Sequence, residues 1–334
     1  TFEDGIVISG NNISGISQTS SPDVAGINAG FLHSGFIVTT FAGNECTNVT
    51  ITNNIIGSVV NSGSFSAVGI ALAATSSGTS LIANNMISGV AANGTASDFG
   101  AGIVLGGGAG STINVFYNTV SMQGTITGAS NASVASTALA VTSNAAPSNL
   151  NIRNNILSNT QSANGTSTQR HTAIALAYSS TLGNYFGLNS NNNDLYSAGA
   201  GPGAYHIAVI GGIAVGPVRT TLANWQTETG RDANSFSVQP NFVSTTDLHL
   251  VTTSNQCLDG GGAPISVTTD IDCQSRNAST PDIGADEFTN PNLTITLSEN
   301  SGTPYDGVIC SGSQVIITAA GGGTPYSSAP TSEL

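Results

Sequence analysis

One phrase recurs through the first two thirds of this chain: a short alternating apolar run, a pair of asparagines, then a second short apolar run. It reads VISGNNISGIS at Asn11 and Asn12, NVTITNNIIGSVV at Asn53 and Asn54, SLIANNMISGV at Asn84 and Asn85, and LNIRNNILSN at Asn154 and Asn155. TINVFYNTVSM keeps one asparagine, Asn118, and LNSNNNDLYS offers Asn191 to Asn193. The middle copies start near Asn48, Ser80, Thr112, Asn149 and Tyr185, a spacing of 32 to 37 residues. Self-similarity at such a period marks a solenoid, a propeller or an array.

Between the asparagine phrases lies a second one: VAGINAGF, AVGIALAA, GAGIVLGG, STALAVTS, HTAIALAY and AYHIAVIGG. Aligned, these alternating strands give a column of Ile27, Ile70, Ile103, Leu139, Ile174 and Ile207, and a second of Leu72, Leu105, Val141, Leu176 and Val209. Each repeat thus holds a strand before the asparagines, a short strand after them and a third strand carrying the aliphatic column. Three strands and three bends per turn describe a right-handed parallel β-helix of about six coils of roughly 31–42 residues, right-handed because parallel crossovers nearly always are. The asparagines belong at the tight bend, where the left-handed conformation costs them little. Their amides can bond from coil to coil, as in stacked in-register strands. The expected ladder runs through Asn12, Asn54, Asn85, Asn118 and Asn155. A propeller blade needs four strands and aromatic signatures, and helical repeats need 3.6 periodicity; neither pattern is visible.

Composition narrows the partners. Charged residues make up 7% of the 334, the net charge is −13, and all five basic residues are arginines. Such a chain has little with which to neutralise phosphates, so nucleic acid and anionic bilayers are disfavoured. No apolar run approaches the roughly 18 residues of a membrane span. Residues 1–220 read as the β-helix. The acids then thicken: six occur in residues 1–220 and nine in residues 221–289. The reading divides the chain into 1–220, an irregular last coil and cap at 221–289, and a third segment at 290–334. A β-helix needs a cap at each end. None is visible ahead of Thr1, so a fragment or a mature region of a longer chain is expected.

In residues 221–289 the order Leu-x-x-Trp, Gly-x-Asp-x-x-Ser, Pro-x-Phe, Asp-Leu-His-Leu and Cys-x-Asp-Gly-Gly resembles the end of secreted bacterial right-handed parallel β-helix proteins. TDIDCQSRNASTPDIGADEF is similar to the Asp-x-Asp-Gly-x-x-Arg…Pro-Asp-Ile-Gly-Ala-Tyr-Glu ending of that group, with Cys273 in place of glycine and Asp286 in place of tyrosine. The resemblance covers roughly residues 1–289 and implies a surface or secreted protein of Bacteroidota-like bacteria. Type IX secretion is only an implication, because its sorting domain is absent from these residues. The tail, with Ile-Cys-x-Gly-Ser ahead of Val-x-Ile-Thr-Ala, resembles the opening of an Ig-like or PKD-like module, too short for a whole sandwich. Cys257 and Cys273 are expected to pair in an oxidising compartment, with metal binding as the rival; Cys46 and Cys310 have no evident partner. Asp270, Asp272, Asp282 and Asp286 form a candidate Ca²⁺ set. The competing reading has some of these four and Glu287 accepting backbone hydrogen bonds in turns and pairing with Arg276.

Chemistry on this fold needs acids from neighbouring coils. Glu3, Asp4, Asp23, Glu45, Asp98 and Asp194 fall at scattered places in the repeat, so no catalytic residue is assigned. His171 and His206, with Arg170, precede their strands at similar places, and Asp194 is the one acid weighed as their neighbour, though nothing in the spacing requires it; His33 stands apart. The expectation is a non-enzymatic surface, adhesin-like or filament protein. Its partners are a polysaccharide or cell-surface glycan, or other copies and surface proteins. The alternatives are a polysaccharide lyase or glycoside hydrolase, and a glycan-binding module using Tyr117, Tyr178, Tyr185, Tyr196 or Tyr205.

Overall fold

In the computed structural model, the paired asparagines turn one corner of a right-handed parallel β-helix. The structure describes residues 3–20, 22–31, 43–93, 98–126, 135–142, 149–163, 169–177, 187–199, 203–213, 216–290, 294–299 and 315–320. His33, Tyr178, Tyr185 and Cys310 lie outside these residues.

Three parallel sheets run the length of the solenoid. Strands ahead of the asparagines, such as Thr79–Ala83, Thr112–Phe116 and Asn149–Arg153, form one. Strands after them, such as Met86–Ser88, Thr119–Met122 and Ile156–Asn159, form the second. The third carries the aliphatic column, through Ala67–Ala74, Phe99–Gly107, Ala135–Val141 and Arg170–Leu176. Each sheet sends register-locked stacks into a shared core. Ile8, Ile51, Ile82, Val115 and Ile152 stack in the first. Ile13, Ile56, Ile87, Val120, Leu157 and Leu195 stack in the second. Ile27, Ile70, Ile103, Leu139 and Ile174 stack in the third, as the alignment expects. Full burial of each such side chain contributes roughly 1.5–3 kcal/mol.

The last coil breaks the expected column. Ile174 pairs with Ala208 and Leu176 with Ile210, so Ile207 and Val209 are not the rungs. A column of small residues explains the slip. Gly26, Gly69, Gly102, Ala138 and Ala173 lie just before the rung and have no partner in the register. A Cβ on Gly102 meets Val120 Cγ1 at 2.2 Å and the Ala138 carbonyl at 2.7 Å, so the early coils need glycine there. Ile207 fills that offset position in the last coil, while Ala208 takes the rung.

The solenoid closes at its C-terminal end. Val218–Arg219 adds an antiparallel strand, and the helix Leu222–Thr229 follows, capped by Thr221 and by Gly230 in the left-handed conformation. Its Trp225 is fully buried in the solenoid core. Residues beyond 238 do not stay on that end. They run back along the flank of the coils, as the hydrogen bonds described below show. Farther on, Thr294–Glu299 and Val315–Ala320 pair antiparallel.

Candidate functional site

From Asn53–Asn54 onward, the two asparagines of each pair work in opposite directions. The first takes the left-handed conformation: Asn53, Asn84, Asn154 and Asn192 have φ of 53–60°. The second points inward and is fully buried. Asn54 donates both its backbone N–H and its amide to Asn85 Oδ1, at 3.1 and 2.9 Å. Asn85 does the same to Asn118, Asn118 to Asn155, and Asn155 to Asn193. The ladder ends on a carboxylate: Asn193 donates to Asp232 Oδ1 at 3.0 Å, while the Trp225 indole donates to Asp232 Oδ2 at 2.7 Å.

The expected first rung, Asn12, is corrected to Asn11, which donates to Asn54 Oδ1 at 3.1 and 2.8 Å. Gly10, with φ of 70°, holds the left-handed position in that coil. The rung therefore falls on Asn11, and Asn12 begins the next strand with its side chain exposed. Tyr117, at φ of 53°, holds the same position ahead of Asn118, which is why that phrase carries a single asparagine.

The outward asparagines bind a strap formed by the C-terminal segment. Asn192 donates to the Gly261 carbonyl at 3.1 Å, Asn154 to Ala263 at 2.7 Å, Asn84 to Thr269 at 2.7 Å and Asn53 to Asp270 at 3.1 Å. Residues 261–270 thus descend the corner coil by coil, against the direction in which the coils ascend. Ile265 and Val267 pack on Phe116 and Tyr117 beside it. On the adjoining sheet, Leu250, Leu258 and Ile283 enclose Ile156, and Leu248 and Ala285 enclose Met86.

Arg276 locks this strap down. Its guanidinium lies 3.9 Å from the centre of the Tyr117 ring and donates to Asn84 Oδ1, the Gly284 and Ala285 carbonyls, and Glu287. The expected pairing of Arg276 with an acid holds through Glu287.

The proposed Ca²⁺ set does not converge as four. Asp270 spends both oxygens on the backbone N–H groups of Asp272, Gln274 and Glu287. Asp282 spends both on those of Gly260 and Phe288. These two carboxylates organise turns. Asp272 and Asp286 instead converge with His249, which the sequence reading did not assign. His249 Nε2 lies 2.9 Å from Asp272 Oδ2, and Nδ1 lies 2.5 Å from Asp247 Oδ1. Asp286 takes the Leu250 N–H at 2.9 Å through Oδ2. Burial pulls the His249 pKa down, but the Asp247 hydrogen bond and the charges of Asp286, Asp272 and Asp247 outweigh it and leave it raised. The signal for this cluster was the Asp-Leu-His-Leu motif, whose partners lie more than twenty residues away.

Cys257 and Cys273 form no disulfide; both thiols are free and exposed. Cys273 sits in the Asp270–Gln274 turn with φ of 65°, the conformation glycine supplies in the motif it resembles. That turn directs it by backbone need rather than toward Cys257. Cys46 is free and buried.

The residues weighed for catalysis separate. His171 pairs with Tyr205, and His206 with Thr172, so the two histidines are one residue out of step on neighbouring strands. In a pleated strand that offset sends them to opposite faces. His171 is fully buried, 2.7 Å from Ser136 Oγ and stacked near Tyr205. Asp194 lies in the other sheet, fully buried. Burial raises its pKa to about 7, against the Val238 N–H that donates to Oδ1. Among the described residues its Oδ2 has no hydrogen-bond partner. One acid pair was missed. Asp23 accepts the Ser66 N–H at 2.8 Å, and Asp98 accepts the Ser66 hydroxyl at 3.0 Å, so coils on either side bring both carboxylates to one serine. Burial raises the Asp98 pKa; the Ser66 bond opposes this and the Asp23 charge adds to it. Among the candidate glycan-contacting tyrosines, Tyr117 is buried under Arg276, and the Tyr196 hydroxyl bonds Gln239.

No protein-family model, curated protein or solved structure matches this chain.

Proposed function

We propose that the chain is a non-enzymatic extracellular surface protein of the adhesin-like or filament kind, a stiff β-solenoid segment followed by the start of an Ig-like or PKD-like module. The observation that supports this most is where the repeat sends its polar groups. In the four pairs from Asn53–Asn54 to Asn192–Asn193, one asparagine is consumed by the interior ladder and the other by the strap. Repeat positions given over to stacking and clamping favour a rod over a catalytic groove. The antiparallel pair Thr294–Glu299 and Val315–Ala320 fits the opening of a further module. Its partner is a polysaccharide, a cell-surface glycan, another surface protein or another copy.

A second reading, a polysaccharide-cleaving enzyme, is favoured by one observation: Asp23 and Asp98 meet at Ser66, and the Asp98 pKa is raised. Neighbouring carboxylates, one of them pushed toward the protonated form, are the equipment of glycoside hydrolysis.

Incubation with plant, algal and bacterial polysaccharides separates the two. The expected result is no new reducing ends and no unsaturated uronates, with retention on a glycan column marking an adhesin. New chain ends that vanish in Asp98→Asn would overturn the structural reading.

A further inference from the structure

We propose that His249, Asp272 and Asp286 form a divalent transition-metal site of the Zn²⁺ class, with Asp247 orienting the histidine. One ligand atom from each of the three residues lies within 4.8 Å of the other two, close enough for a single ion to reach all of them. They come from three separate stretches of the strap: the turn after Asp247, the Asp270–Gln274 turn and the closing Asp-Glu.

Three features point to a cation of this class. First, Asp247 holds His249 Nδ1, and Nε2 lies 2.9 Å from Asp272 Oδ2, so an ion bound there would take the place of the proton between them. A carboxylate on the far nitrogen of a histidine is the usual support of a metal-binding imidazole, because it fixes the tautomer and raises basicity. Second, Asp286 is only 6% exposed, its ligand oxygen lies within 4.8 Å of those of both His249 and Asp272, and the described hydrogen bonds give it a single donor, the Leu250 N–H on Oδ2. A largely buried carboxylate with one such donor gains from a cation beside it. Third, the cluster holds three carboxylates against one histidine, and its Asp272 side is open to solvent, which gives an ion a way in and leaves positions for water.

The donor set decides the metal. Ca²⁺ prefers six to eight oxygens and has little use for an imidazole. One imidazole with two carboxylates suits Zn²⁺ and its neighbours. An ion here would tie the three stretches together and hold the strap over the sheet that carries Met86 and Ile156.

The probe is Zn²⁺ alone, titrated calorimetrically into the chelator-treated chain, with Co²⁺ absorption as a report on nitrogen and oxygen ligation. One equivalent is expected, lost in His249→Gln and Asp272→Asn. Asp247→Asn, which leaves all three ligands, is expected to weaken binding by roughly 10–100-fold. Both ligand substitutions fall on partly exposed side chains, and circular dichroism at matched concentration checks that the variants fold. In parallel, Zn²⁺ is expected to slow proteolysis within residues 245–290 of the wild type alone. Absence of binding, binding unchanged in His249→Gln, or a preference for Ca²⁺ over Zn²⁺ would each overturn the proposal.

Discussion

At the scale of single residues, the two asparagines of a pair carry different energies. Asn118 sits in the middle of the ladder, taking two donors from Asn85 and donating to Ile82, Phe116 and Asn155. Asn118→Ala strands buried groups on both neighbouring coils, and each costs roughly 1–3 kcal/mol, so a loss of about 3 kcal/mol or more is expected. Asn12→Ala, at an exposed strand start, is expected to stay within about 0.5 kcal/mol. Urea unfolding of the two variants checks the contrast. Asp194 makes a pH-dependent contribution. Its folded pKa, raised to about 7, lies above the unfolded value near 3.9, so the folded state holds a proton that the unfolded chain has released. The stabilisation is full below about pH 4 and is lost as pH rises through about 7. Asp282 is also raised to about 7 and adds a slope of the same sign. The test is therefore a difference: between pH 4.5 and 7.5 the wild-type unfolding midpoint is expected to fall more steeply than that of Asp194→Asn. Parallel profiles would show that Asp194 ionises normally.

At the scale of elements, the glycine column and the strap set how each piece meets the next. Gly102→Ala drives a methyl into Val120 and the Ala138 carbonyl, a backbone atom that cannot step aside. A loss of about 1–3 kcal/mol is expected by thermal unfolding, in line with other overpacked cores. Arg276→Met keeps the apolar stem but removes the guanidinium's bonds to Glu287, Asn84 and the Gly284 and Ala285 carbonyls. Breaking such a buried pair costs about 3–5 kcal/mol. Limited proteolysis is expected to cut within residues 261–289 before the coils. The coils themselves were legible because a repeat prints one spatial position many times over, so Ile27, Ile70, Ile103, Leu139 and Ile174 align on sight. The register slip at Ile207 was not, since it depends on which small residue a neighbouring coil tolerates. Neither was the strap. Its contacts join Asn53 to Asp270 and Asn84 to Arg276, residues some two hundred positions apart with no periodicity to connect them. His249 was hidden for the same reason, whereas Asp23 and Asp98 each stand just ahead of aligned strands of the third sheet, with Ser66 on the coil between them, so the repeat itself carried that signal.

At the scale of the whole molecule, a solenoid whose coils touch only their neighbours is fastened lengthwise by its own C-terminal segment. Stability in such a stack is a sum of local terms, and a strap that spans coils couples them. The same arrangement explains the four asparagine pairs from Asn53–Asn54 to Asn192–Asn193: one faces the interior ladder, the other the strap. Native-state hydrogen exchange, resolved by segment, tests this most directly. The backbone N–H groups of Asn54, Asn85, Asn118 and Asn155 are expected to exchange slowest and together, through global unfolding. Those of residues 261–285 that bond within the strap or to the coils are expected to form a second protected unit, released selectively by Arg276→Met. Strap amides that exchange at the unprotected rate in the wild type, or ladder amides that exchange coil by coil at unrelated rates, would contradict the account.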